Sequence, residues 1–327
     1  MTRSRPVGLA QSDPIRAGLY RAALEQFEEL IKASASSGPA SRPLPLFYAL
    51  TQASRAITAV RGGPDHRGHG LKLGDRKSDA LRTEVIPVHG QTSPGHFQAV
   101  ASTVGSPTLA SSAPIGALLA SLPEMSETLL LHDDWPQALP IFEREPPYGV
   151  PTPGWLHVTI VIDEETIAYD GLVRMLDQYG AIRGEIGLPE AVKALAAIPT
   201  YGTPEGAGVG VLLRGGNAEL DAAAPQYRIH GRRWIRPNVA GIPPPSPVMT
   251  WWAVLYALSM YARYFPREWV QALDIDSSDV GVTLERAMDR AIDALPQLVL
   301  SEVLQSPFLH PATEGLPLDP FGRGHLS

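Results

Sequence analysis

Apolar residues recur along this chain with two different periods, and the change of period divides it. Leu19, Ala23, Phe27, Leu30 and Ile31 fall at helical spacing within residues 14–35, which predicts an amphipathic helix. Pro14 suits its first turn and Asp13 its N-cap. After the loop SASSGPASRP, Leu46, Leu50, Ala53, Ile57 and Val60 form the stripe of a second helix, which Gly62-Gly63 stops. Residues 83–104 read as a β-hairpin, with TEVIPVHG and GHFQAVASTVG flanking the turn QTSPG. SAPIGALLASLPEM then gives a short helix that begins at Pro114.

Beyond this point the period shortens. WLHVTIVID (155–163) is a strand of β-branched residues, and GVGVLLRG (208–215) and QYRIHGRRWIRPNV (226–239) are further strands. LPEAVKALAAIP (188–199) is a short helix between them. IPPPSPV (242–248) is a stiff connector of polyproline character. Helical spacing then returns. In residues 249–265, Trp251, Leu255, Leu258 and Ala262 line one face, and Trp252, Tyr256, Ser259 and Arg263 the next. So broad an apolar surface predicts burial on more than one side. Residues 282–304 form a last helix, with an interruption expected at Pro296.

The order helices, strands, helices predicts an α+β fold: a helical core from the N- and C-terminal helices, with a β-rich middle section. The expected units are residues 1–131 (helices and hairpin), 132–154 (a Pro-rich connector), 155–241 (the β-rich section), 242–305 (helices returning onto the first ones) and 306–327 (a loosely held tail).

Composition agrees with a folded, globular chain: of 327 residues, 44% are hydrophobic and 19% charged. The absence of Cys excludes disulfides, thiolate nucleophiles and Cys-based zinc sites. The first twenty residues hold no apolar h-region, and no run of about 18 apolar residues exists, so a cytoplasmic protein without a membrane partner is expected. The net charge of −7 is uneven: residues 1–90 carry 13 Lys and Arg against 8 Asp and Glu, the remainder 14 against 26. A basic N-terminal part is compatible with a phosphate-bearing partner and equally with an ordinary charged surface.

The densest candidate chemistry is RGGPDHRGHGL (61–71). Metal-independent RNA cleavage needs a base for the 2′-hydroxyl proton and a cation for the phosphate. His66 or His69 can supply the first, and Arg61 or Arg55 the second, with Arg67, Lys72, Arg76 and Lys77 adding positive charge. The plainer reading is a helix C-terminus, where Gly62 is the cap and Arg61 meets the helix dipole. A second candidate is YRIHGRRWIRP (227–237). Alternation puts Arg228, His230, Arg232 and Trp234 on one face of a strand and Arg233 on the other. Stacking and phosphate contact there would bind RNA, whereas the plainer reading is an edge strand guarded by charge. Arg263, on so apolar a helix, needs a partner: Glu84, Glu268, a carbonyl or a ligand phosphate.

Other patterns are generic. His66 and His69 with Asp65, joined by His89 or His96, have no metal-site spacing, and no metal or other cofactor is expected. His132–Asp134 reads as a solvated loop, and Asp163–Glu165 as the turn that ends a strand. No Walker or dinucleotide fingerprint and no G-x-S-x-G elbow is present.

Three segments resemble the YaaC-like bacterial proteins: PLPLFYALTQASRAITAV with the following GHGL, TEVIPVHGQTSPGHFQAVA, and MTWWAVLYALSMYARYFPREW. They span residues 43–105 and 249–273, and the third is the most specific. This resemblance implies no particular activity. The aromatic and Arg-Ala pattern of the second helix, with a His-containing loop after it, is also similar to the helical core of HEPN proteins, which include many RNases. That resemblance implies an Arg and a catalytic His with four to six residues between them, and Arg61-Gly-Gly-Pro-Asp-His66 fits the spacing. The family's motif generally lies on a later helix, and here Arg263 is followed by YFPREW without a His. Two readings follow. One is an RNA- or nucleotide-binding protein of atypical or degenerate HEPN-type ribonuclease character. The other is a non-catalytic interaction protein acting in a homo-oligomer or a multi-protein complex.

Overall fold

Asp13 caps the first helix as its position requires: its carboxylate accepts from the backbone N–H groups of Ile15 (2.9 Å) and Arg16 (3.2 Å). In this computed structural model the helix, α1, runs Pro14–Ser36, and α2 runs Pro43–Arg61 antiparallel beside it. The residues described are 5–64, 66, 68–90, 93–126, 128, 134–143, 155–162, 166–180, 186–187, 198–199, 201–203, 206–214, 228–229, 232–276 and 280–306. The stripe that α1 buries is Tyr20, Ala23, Leu24 and Phe27, whereas Leu19 stays outside. On α2 the predicted stripe is buried in full, joined by Phe47, Ala49, Ala56 and Ala59.

The C-terminal helices close this core. α6 (Pro247–Tyr264) is buried at every residue from Val248 to Tyr261, which is the many-sided burial its composition predicts. Phe47 meets Trp252 edge-on at 6.2 Å and Tyr256 at 5.7 Å, so the two ends of the chain share one apolar cluster. α7 (Pro266–Leu273) adds the buried Trp269. α8 (Gly281–Leu304) continues through Pro296 instead of breaking there. Leu295, Val299 and Val303 carry its buried stripe past the proline, so tertiary packing outweighs one lost N–H.

The expected hairpin over 83–104 does not form. Its first arm is β2 (Glu84–Pro87), which pairs with β1 (Leu71–Leu73) and with β3 (Ala113–Pro114) in a small antiparallel sheet. Its second arm is a helix, α3 (His96–Val104), because Phe97, Val100 and Ala101 bury at helical spacing and Gly105 closes the end with φ +70°. α4 (Ile115–Ala120) follows β3.

The middle section builds a second, larger sheet. It comprises β4 (Leu139–Glu143), β5 (Trp155–Ile162), β7 (Ile186–Gly187), β9 (Tyr201–Thr203), β10 (Gly206–Arg214), β11 (Arg228–Ile229) and β12 (Arg232–Ile235). Its order is β11-β12-β4-β5-β10-β7, all antiparallel, with β9 beside β10. Val209 faces Ile160 and Val211 faces Val158 across the central pair, and all four are buried. A separate pair joins β6 (Thr166–Ile167) to β8 (Ile198–Pro199), and α5 (Tyr169–Leu176) lies between them in sequence. The segment expected to be an irregular connector thus supplies β4. Residues 188–197 of the expected short helix, and the carboxylates 163–165, lie outside the described residues.

Arg236 fastens this sheet to the helices. Its guanidinium donates to Ser121 O and Pro245 O and to the hydroxyls of Ser121 and Thr250, at 2.6–3.2 Å. No described helix is long and apolar enough to cross a membrane.

Candidate functional site

The exit of α2 is where the candidate side chains meet. Gly62 ends the helix with φ +78°, a conformation that costs a side-chain-bearing residue strain, and its N–H donates to Thr58 O. The chain then returns along α3 and is held there through its backbone. Gly68 O and His69 O accept from the N–H groups of His96 and Phe97, both at 3.0 Å, so the loop caps the α3 N-terminus. Gly70 (φ +77°) presses against Gly95, and a Cβ on Gly95 would run into the Gly70 backbone. Gln98, from the next turn of α3, donates to Gly70 O.

This docking gathers three histidines. The rings of His66 and His96 are stacked, with centroids 4.0 Å apart and planes 6° from parallel. His96 Nε2 lies 2.9 Å from the hydroxyl of Ser54, and its ring meets Trp252 edge-on at 4.8 Å. His69 sits beside Phe47 (6.0 Å) and Tyr256 (5.6 Å), and the Tyr256 hydroxyl donates to Leu71 O. His66 and His69 reach solvent; His96 is half-buried.

The electrostatics favour neutral imidazoles at His96 and His69. Burial first, then the charges of His66, His69 and Arg55, push the pKa of His96 down to about 3. Burial and then Arg263 lower that of His69. Arg55 and Arg263 are both exposed; the first bonds Gln52 at 3.1 Å and the second lies over the ring of Tyr264 at 5.0 Å. The cluster therefore offers hydrogen-bonding imidazoles flanked by two cations, a combination suited to a phosphate-bearing ligand. Among the described residues, no group of His, Asp or Glu side chains is placed to hold a metal ion.

The remaining predicted site residues fall elsewhere. Arg61 does not join the histidines: its Nη2 pairs with the Glu302 carboxylate at 2.6 Å, and its Nε and Nη2 donate to Glu302 O, tying α2 to the end of α8. Arg263 is not buried, because the apolar run of α6 ends at Tyr261 and leaves it in solvent. Trp234 offers no stacking face, since it is 9% exposed and packs with Ala138 and Leu298. The segment 228–235 is not one strand, as alternation assumed: Arg228 pairs with Arg233, and Arg232 with Ile229. Arg233 is half-buried opposite Ile141. Arg67, Asp65 and His230 lie outside the described residues.

Sequence reasoning placed His96 in a strand and considered it only as a metal ligand, and it gave Ser54 no role. The Ser54–His96 pair was hidden because its members lie 42 positions apart on elements whose packing no local pattern encodes.

A family model described as YaaC-like Protein matches residues 13–303. No curated protein and no solved structure matches the chain.

Proposed function

The chain belongs to the YaaC-like family, and on that premise we propose that it binds RNA or a nucleotide at the histidine cluster and has atypical, metal-independent ribonuclease character. The observation that carries this reading is the convergence of His66, His69 and His96 under the charge of Arg55 and Arg263. An exposed imidazole, His66 or His69, takes the 2′-hydroxyl proton while the arginines hold the phosphate; the 2′-oxygen bonds to phosphorus, the P–O5′ bond breaks, and the 5′-oxygen leaves with a proton from water. The site is atypical in the HEPN sense because Arg61, the arginine at the expected spacing, is occupied by Glu302. Arg55 and Arg263 fill its role.

Retention and cleavage of defined tRNAs and single-stranded oligonucleotides, in the presence of a chelator, test the proposal. Arg55→Ala and Arg263→Ala should each weaken retention by about tenfold and flatten its salt dependence. Replacing by Ala whichever of His66 and His69 is the base should abolish cleavage. Equal cleavage by wild type and both histidine variants would remove the base.

The other reading is a non-catalytic interaction protein working in a homo-oligomer or complex. It is favoured by Ile15 and Leu19, one turn apart on α1 and 85% and 45% exposed. Absence of both cleavage and retention, with self-association in solution, would select it.

A further inference from the structure

Ser54 decides which nitrogen of His96 carries hydrogen. Its hydroxyl lies 2.8 Å from Thr51 O. Two oxygens that close need a proton between them, and only Ser54 has one to give. The Ser54 oxygen is therefore the acceptor toward His96, and at 2.9 Å the donor is Nε2–H. The contact fixes a hydrogen on Nε2, and burial, which lowers the pKa of His96, keeps Nδ1 bare and the ring neutral.

Against this fixed ring lies His66, face to face at 4.0 Å. Two imidazolium rings at that separation repel strongly, whereas one cationic ring over a neutral aromatic face is favourable. Trp252 closes the far edge of His96 with an apolar surface. The charged and titratable groups facing the pair are Arg55 from α2 and His69 from the loop, and Arg263 from α6 acts on His69.

We propose that His96 is a positioning residue: held by Ser54 with its hydrogen on Nε2, it is a neutral shelf that orients His66. The proposal rests on the reading of the site given above, and makes His66, not His96, its proton-transfer group.

The test is imidazole nitrogen NMR on the full chain, joined to the RNA assays. His96 should keep a bare Nδ1 and a protonated Nε2 between about pH 8 and pH 5. Ser54→Ala should release His96 into mixed tautomers. His96→Ala should lower cleavage by about tenfold or more, and His96→Phe, which keeps a flat ring without nitrogens, should restore most of it. Titration of His96 within that range, or a His96→Phe variant as impaired as His96→Ala, would overturn the proposal. If wild type binds no RNA, the functional reading fails, and the spectra alone decide the role of His96.

Discussion

His66 lies flat on His96, with 4.0 Å between ring centres and 6° between planes, although the two belong to a loop and a helix thirty residues apart. The contact exists because the loop backbone is bonded to α3: Gly68 O and His69 O receive the first N–H groups of α3, and Gly70 O accepts from the Gln98 side chain. The imidazoles ride on a main-chain framework.

Protonation should strain that framework. The folded chain holds the pKa of His96 near 3, while an unfolded imidazole titrates near 6.5. The unfolded state thus binds the proton more tightly, so this contribution to stability is complete above about pH 6.5 and is lost as the pH falls toward 3. The slope cannot exceed about 1.4 kcal/mol per pH unit for one proton. Melting temperatures across that range should fall more steeply for wild type than for His96→Phe; parallel curves would show that His96 is not held neutral.

Arg61 is a structural residue here, and its removal should show that. Arg61→Ala leaves the Glu302 carboxylate unpaired where burial already raises its pKa, at a cost of about 3 kcal/mol at neutral pH. A carboxyl whose folded pKa is raised favours folding below its unfolded value of 4.5 and loses that contribution as the pH rises. The penalty should therefore shrink in acid. Denaturant titrations at pH 7 and below pH 4.5 measure it, and RNA retention by the folded variant should match wild type.

Two alanine substitutions at glycine should act in opposite directions. Gly95→Ala drives a Cβ into the Gly70 backbone and should cost more than about 2 kcal/mol and undo the His66–His96 contact. Gly18, inside α1, has nothing within 4 Å of an added Cβ, so Gly18→Ala should stabilise by about 0.5–1 kcal/mol. Thermal melts and the histidine spectra of both variants check this.

Trp234 should behave as core. Trp234→Ala should cost about 3–5 kcal/mol through the cavity it leaves. RNA retention by the folded fraction, and its salt slope, should not change; a specific loss of retention would return the 228–235 strands to the binding surface.

The helical core was legible in the sequence because its signals are local. The stripe of α2, the Asp13 cap and the all-round apolar α6 each follow from spacing within one element. The α3 helix was misread because TEVIP precedes it and QTSPG resembles a hairpin turn, while the glycine contact that fixes its start is non-local. The loop histidines stood out as candidates for the same local reason. His96 and Ser54 were not, nor was the diversion of Arg61 to Glu302, 241 positions away, since each depends on which elements become neighbours.

Because Gly70 and Gly95 meet with no side chain between them, the loop and α3 form a socket whose shape does not depend on what the imidazoles are. Replacing His66 or His69 by another side chain should change the contents of the socket and leave its backbone walls standing.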